Sequence, residues 1–278
     1  MSIFSSPCTI AQVQAISPLE PLEARMLLCH VTGYTRVQLI TQSELYLNDE
    51  QLEQLNHLTT QRLAGEPIAY LLGQREFFGL TFKVTPDVLI PRPDTELLVE
   101  LALERTANAG HLLDLGTGSG AIAIAIAAQD RQIKVNAADI SPAALSVAKF
   151  NATQLLAANT QIQFHLSDWY SAIPAQKFHT IVSNPPYIVK DDIHLSQGDL
   201  RFEPIDALTD HSDGLSAYRK IIDGAPPYLH ENAWLLMEHG YDQSDEVQAL
   251  LKAAGFTDVQ SWPDIAGILR VSGGRLGN

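Results

Sequence analysis

The chain has 278 residues, of which 46% are apolar and 18% charged, enough for one large α/β domain and a small accessory one. Lys plus Arg number 18 against 32 Asp plus Glu, a net charge of -14. That balance disfavours free duplex nucleic acid as a main partner, because phosphate contacts need positive charge, and favours a basic protein partner.

Cys8 and Cys29 form neither a metal-site spacing nor a disulfide framework, so a reducing, cytoplasmic setting without a structural metal is expected. The start lacks a signal-peptide pattern, and no run approaches the roughly 20 apolar residues of a membrane span. Residues 1–75 read as helical. Thr9 caps a short helix through Ile16. Another follows Pro18 and Pro21, with Leu22, Met26, Leu27, His30 and Val31 on one face before Gly33. Asn48 opens a third, in which Leu52, Leu55, Leu58 and Leu63 recur at helical spacing, and Ile68 to Leu72 continue it. Such faces need one another, so a small bundle is predicted, with substrate recognition or shielding as its task.

Residues 76–90 change period, and Glu76 to Val84 predict two strands joined near Gly79, linking the bundle to a main domain over 91–278. In Leu89-Ile90-Pro91-Arg92-Pro93-Asp94-Thr95-Glu96 two prolines fix the chain around Arg92, and a helix starts near Asp94 and runs to about Arg105. This stiff segment is either a capped helix start with an exposed arginine or the roof of a site.

His111 to Leu115 is a buried strand that enters Gly116-Thr117-Gly118-Ser119-Gly120, and an alanine-rich helix follows. Glycines there permit a tight turn and close approach of a ligand to the backbone. A dinucleotide site prefers G-x-G-x-x-G with pyrophosphate at the helix start. Here Gly120 comes one position early, and Asp114 would repel pyrophosphate but suit an amino-bearing, cationic ligand such as a sulfonium cofactor.

The second strand, Lys134 to Ala138, ends at Asp139, placed to accept ribose hydroxyls or to cap the next helix. Ser141 and Pro142 open that helix. A third strand, Gln161 to Leu166, delivers Asp168 and Trp169, an acceptor for an adenine amino group and an aromatic to pack on the ring. The fourth, Phe178 to Ser183, delivers Asn184-Pro185-Pro186-Tyr187. The prolines leave Asn184 little backbone freedom. Its carboxamide and the Tyr187 face suit a planar nitrogen group. Three consecutive strand ends thus match amino acid, ribose and adenine in turn.

Residues 188–213 read as a polar loop flanking the site, with one helical turn, surface histidines His194 and His211, and Glu203 as a possible ion-pair anchor. A helix from Leu215, a strand over Ala233–Glu238, a helix ending at Gly255, and a strand pair over Thr257–Trp262 and Ile265–Val271 complete the chain.

Gly116 to Gly120, Asp139 and Asn184 to Tyr187 resemble a class I S-adenosylmethionine-dependent methyltransferase acting on nitrogen. Leu89 to Glu96, Phe77-Phe78-Gly79, and Phe202-Glu203-Pro204 followed by Asp213-Gly214-Leu215 narrow the resemblance to the HemK-type peptide chain release factor N5-glutamine methyltransferases. His211-Ser212 stands where that family often has Gly-Gly. The resemblance implies a Rossmann-like, seven-stranded, mostly parallel sheet with one antiparallel strand. It implies S-adenosylmethionine as cofactor, held by Asp114, residues 116–120, Asp139, Asp168, Trp169 and Asn184. It implies a substrate glutamine in the Gly-Gly-Gln loop of class 1 release factors, held by Arg92, Asn184, Pro185, Pro186 and Tyr187. Asn184, Pro185 and Tyr187 are the implied catalytic residues. Three rival readings stay open: a DNA adenine-amine methyltransferase, a non-catalytic protein that keeps a cofactor fold, and a nicotinamide enzyme, which the early position of Gly120 disfavours.

Overall fold

The computed structural model of the protein describes residues 2–106 and 109–277. The chain divides into two compact units, Met1–Gly73 and Gln74–Asn278. The first is helical: α1 (Ile10–Ile16), α2 (Pro21–Thr32), α3 (Arg36–Thr41), α4 (Asp49–Leu63) and α5 (Ile68–Leu72). Three of these helices start the same way. Thr9, Thr35 and Asn48 accept the backbone N–H of Gln12, Gln38 and Gln51, and each glutamine side chain accepts the N–H of its cap residue. These reciprocal capping boxes satisfy donors that a helix start leaves orphaned.

Leu27, Leu28, Leu39, Leu52 and Leu55 form the core of this unit. The buried face of α2 is Ala24, Leu27 and Leu28, rotated from the expected one. Leu22 is 50% exposed and Leu63 53% exposed, so neither joins the core that their spacing suggested.

The second unit opens with a hairpin of β1 (Gln74–Phe77) and β2 (Leu80–Lys83). Phe78 and Gly79 both have positive φ, 51° and 75°, the two-residue turn whose twist matches the flanking strands. Phe77 and Phe82 enter the main core. Asn151 anchors the far end: its Oδ1 accepts the Lys83 N–H, while its Nδ2 donates to the carbonyls of Lys83 and Ser119.

After a 3-10 turn over Pro93–Thr95 come α6 (Glu96–Arg105), β3 (His111–Leu115), α7 (Ala121–Gln129), β4 (Lys134–Asp139), α8 (Pro142–Leu155), β5 (Gln163–Leu166) and β6 (Phe178–Ser183). The 188–213 segment carries two 3-10 turns and the short α9 (Ile205–Leu208), more structure than the one turn expected. Then follow α10 (Ser216–Gly224), β7 (Leu229–Glu238), α11 (Ser244–Ala253), β8 (Phe256–Pro263) and β9 (Leu269–Leu276).

The seven strands run in the order β5-β4-β3-β6-β7-β9-β8. β9 is antiparallel to both its neighbours, and the pairings among the first five strands are all parallel. The Rossmann-like class I methyltransferase sheet implied by the motifs is therefore the observed one. Helix α7 is buried on every side from Ala121 to Ala127, as an apolar helix without a polar face must be. Among the described residues, no helix is long and apolar enough to cross a membrane.

The last strand departs from expectation. Residues 264–268 form the hairpin turn, where the Asp264 carboxylate accepts the N–H groups of Ala266 and Ile268. Strand β9 instead continues through Gly273, where a Cβ would lie 2.6 Å from the Leu235 carbonyl. Only glycine lets the backbones pass that closely.

Candidate active site

The carboxyl ends of β3, β4, β5 and β6 lie side by side, the edge at which open α/β sheets bind ligands. A cavity of ≈ 490 Å³ opens there. Its lining includes Arg92, Gly116, Thr117, Gly118, Ser119, Asp139, Asp168, Trp169, Asn184 and Pro186. Asp114, Gly120, Pro185 and Tyr187 stand outside the lining.

The glycine turn is built on β4. The N–H groups of Gly116 and Thr117 both donate to the Ala138 carbonyl at 2.9 Å. Gly116, Gly118 and Gly120 have φ of 73°, 55° and 82°, so the turn passes three times through the left-handed region that glycine alone adopts freely. The Gly118 N–H donates to Asp139 Oδ2 at 2.8 Å and the Ser141 N–H to Asp139 Oδ1 at 2.9 Å. Asp139 thus ties the turn to the start of α8. Each of its oxygens accepts one backbone hydrogen there and keeps a further lone pair for a ligand hydroxyl. Burial raises its pKa against these hydrogen bonds.

Asp114 is fully buried, and Thr117 Oγ1 donates to its Oδ2 at 2.6 Å. Its Oδ1 has no partner. Burial pushes the carboxyl up to about 7, opposed by the Thr117 hydrogen bond and assisted by the charge of Asp139. Asp114 therefore acts on the turn through Thr117 and is only partly charged near neutrality. Of the two, Asp139 is the carboxylate that lines the cavity.

Trp169, with φ 47°, closes one side, and its Cζ3 is 3.9 Å from where a Cβ on Gly116 would sit. The Ser167 hydroxyl donates to the Trp169 carbonyl at 2.8 Å, and the Ser171 hydroxyl accepts the Asp168 N–H. Asp168 itself is exposed.

Asn184 is half-buried. Its Nδ2 donates to Thr95 Oγ1 at 3.3 Å. The Tyr187 carbonyl accepts from Gln243 Nε2 at 3.1 Å, and burial raises the Tyr187 phenol's pKa. Arg92 is paired: its guanidinium donates to Glu203 Oε1, while Glu203 Oε2 accepts the Ile90 N–H at 3.0 Å. The Glu203 side chain is fully buried and that of Arg92 is 33% exposed. Glu203 is thus the anchor that holds the polar segment to the proline-rich roof, as its position suggested. The segment is also pinned at both ends, by Ile188 N–H to the Leu208 carbonyl and Lys190 N–H to the Ser212 carbonyl.

His194 and His211 each pair with a nearby acid, Asp192 at 2.7 Å and Asp206 at 2.6 Å. No metal-holding group of three or more His, Cys, Asp or Glu occurs among the described residues.

Two buried side chains beside Asn184 escaped the sequence reading, Thr95 and Glu238. Glu238 had a signal: it ends an apolar strand, as Asp139 does. Thr95 had none, because its meaning arises from a neighbour 89 residues away.

The methyltransferase small domain family matches residues 93–199, and the PrmC N-terminal domain family matches residues 10–73. A release factor glutamine methyltransferase of Burkholderia pseudomallei is 52% identical over 98% of this chain and 97% of its own length. That of Escherichia coli is 45% identical over 96% of this chain and 95% of its own. Among solved structures, a Pyrococcus furiosus methyltransferase aligns over 80% of this chain and 99% of its own, with TM-score 0.55 and 17% identity, a likeness of fold. By its near full-length identity to these relatives, the chain belongs to the release factor glutamine methyltransferase family.

Proposed function

We propose that this enzyme transfers a methyl group from S-adenosylmethionine to the side-chain amide nitrogen of the glutamine in the Gly-Gly-Gln loop of class 1 peptide chain release factors. Family membership and the chemistry of the cavity support this reading. The glycine turn admits a ligand against the backbone, and Asp139 keeps lone pairs for ribose hydroxyls. Trp169 offers a flat face for adenine, with Asp168 beside it. These residues fit the cofactor. When bound, it supplies an electrophilic methyl on a sulfonium. Asp114, whose Oδ2 accepts the Thr117 hydroxyl hydrogen, fits a second, indirect role, aligning Thr117 toward the cofactor's amino acid end.

An amide nitrogen is a poor nucleophile because its lone pair is delocalised. Asn184 Oδ1 and the Pro185 carbonyl accept its two hydrogens, which orients the nitrogen and favours the positive charge that develops on it. Tyr187 packs on the amide plane, and its raised pKa keeps the phenol neutral. The substrate gains one methyl and loses one amide proton to solvent. Arg92, held by Glu203, shapes the substrate side of the cavity.

The observation that carries this reading is the polarity of Asn184: Nδ2 is engaged by Thr95, which leaves Oδ1 to receive an N–H. The Met1–Gly73 unit is assigned to partner recognition. It exposes Val37, Ile40 and Tyr46 at 68%, 75% and 68%. A translation-termination substrate puts the reaction in the cytoplasm.

Mass spectrometry of release factor incubated with enzyme and cofactor tests the proposal. A gain of one methyl on the loop glutamine is expected with the native enzyme. Asn184→Ala lowers turnover about a hundredfold or more while cofactor affinity stays near native. Normal turnover in that variant, or methylation of DNA in place of the factor, rejects the assignment.

A further inference from the structure

Strands β6 and β7 pair in parallel with Ser183 beside Met237, so Asn184 and Glu238 leave the sheet as neighbours. Glu238 is 2% exposed and Thr95 4%. Thr95 Oγ1 accepts a hydrogen from Asn184 Nδ2. Thr95 and Asn184 both stand beside the Glu238 carboxylate with donors to offer it, and Glu238 Oε2 has no partner. Asn184 and Thr95 on the cavity wall and Glu238 outside the lining thus form a short run of polar side chains, and none of the chemistry described above uses its far end.

That end decides which way the chain points. The two ends of a carboxamide are nearly identical in shape, so sterics do not choose between them and hydrogen-bond partners do. A hydroxyl cannot choose either, since it donates and accepts with equal ease. An ionised carboxylate only accepts. It takes the Thr95 hydroxyl hydrogen, which leaves Thr95 Oγ1 as an acceptor and obliges Asn184 to present N–H to it. The flipped amide would aim Nδ2 at the substrate amide and set donor against donor.

We propose that Glu238, acting through Thr95, is a positioning residue that locks the Asn184 carboxamide with Oδ1 toward the substrate. The inference rests on Asn184 receiving the glutamine amide. Without the carboxylate, the Thr95 hydroxyl is free to donate to Asn184 Oδ1, and doing so flips the amide the wrong way. Removing that hydroxyl as well abolishes the bias. A second loss therefore repairs the first.

The test is kcat/KM for release factor at pH 8, where Glu238 is ionised, together with cofactor Kd. Glu238→Met should lower kcat/KM about tenfold or more, the cost of a buried hydroxyl left without an acceptor, with cofactor Kd within about twofold. The double variant Thr95→Val with Glu238→Met should recover activity above Glu238→Met alone. A structural role predicts the opposite ordering, with the double variant worst. Glu238→Gln covers an unfolded methionine variant: glutamine donates as well as accepts, so kcat/KM falls at least about twofold. Native activity in both Glu238 variants, or a double variant no better than Glu238→Met, overturns the proposal. Native activity in Asn184→Ala would instead overturn the reading beneath it.

Discussion

Gly120 and Gly118 make a controlled pair for asking what the glycine turn requires. Both have positive φ, so alanine at either strains the backbone by about 1–2 kcal/mol. Only Gly120 is also crowded. A Cβ there would lie 2.8 Å from Ile124 Cδ1, 3.2 Å from Ala148 Cβ and 3.3 Å from Ala148 Cα, whereas a Cβ on Gly118 meets nothing within 4 Å. The Ile124 methyl can swing aside, but the α8 backbone must shift, and such overpacking costs about 1–3 kcal/mol. Gly120→Ala should therefore destabilise the second unit by about 2–5 kcal/mol, and Gly118→Ala by about 1–2. At about 2–4 °C per kcal/mol for a unit of this size, Gly120→Ala lowers Tm by at least about 4 °C. Ligand-free calorimetry, backed by urea titration, measures both. A Gly120→Ala melt within about 1 °C of native would refute the packing argument. Equal losses in the two variants would show that conformation alone, without crowding, sets the requirement.

Other perturbations reach other parts of the site. Glu203→Ala leaves the buried Ile90 N–H and the Arg92 guanidinium unpaired. It should cost about 1–3 kcal/mol in urea titrations and speed proteolysis within residues 189–202. Trp169 is the one tryptophan on the cavity, since Trp234 and Trp262 pack on each other elsewhere. Trp169→Phe should abolish the fluorescence change on cofactor binding while the other two still emit; an undiminished change places the cofactor elsewhere. Glu238 gives a pH prediction of definite sign. Burial pushes its pKa up to about 7, with Asp94 reinforcing that shift, and Thr95, Arg270 and Asn184 opposing it. Between an unfolded carboxyl's ordinary value and about 7, the folded state holds a proton that the unfolded state has released. Its contribution to stability therefore falls as pH rises through that window. Glu238→Gln removes this slope, so its stability relative to native should improve by up to about 3 kcal/mol from pH 5 to pH 8. A difference that stays constant with pH would mean the carboxyl titrates normally.

What the sequence made legible was local. An apolar strand that runs into glycines, an acid at a strand end, or Asn-Pro-Pro-Tyr carries its meaning within ten residues, and each landed on the expected edge of the sheet. The capping signals at Thr9 and Asn48 worked for the same reason. The matching signal at Thr35 and Gln38 was passed over because the six residues of α3 are too few to show a period. Distant partners could not be read. Nothing near Thr95 announces Asn184 or Glu238, and nothing near Arg92 identifies Glu203 as its partner, though Glu203 itself hinted at an ion pair. Asp114 shows a subtler gap. Its charge seemed to select the ligand, yet burial leaves it half-protonated near neutrality, and its effect passes through a threonine hydroxyl. Strand β9 was ended too early, at Val271, because glycines weaken a strand pattern; the close approach of Leu235 explains Gly273, and that of Phe256 and Val259 explains Gly274.

The sheet order has a consequence for how far this site can drift. Four adjacent strands carry Trp169, Asp139, the glycine turn and Asn184 in spatial succession. Neighbouring strands lie about 4.8 Å apart, so the outermost of the four are separated by roughly 14 Å. That interval is a ruler written in backbone hydrogen bonds. Loops between the strands can lengthen, shorten or change composition without altering it. On the proposed function, the distance between the nucleoside end and the reacting amide is thus inherited from the pitch of a β-sheet, and substitutions can retune what sits at each mark but not the spacing of the marks.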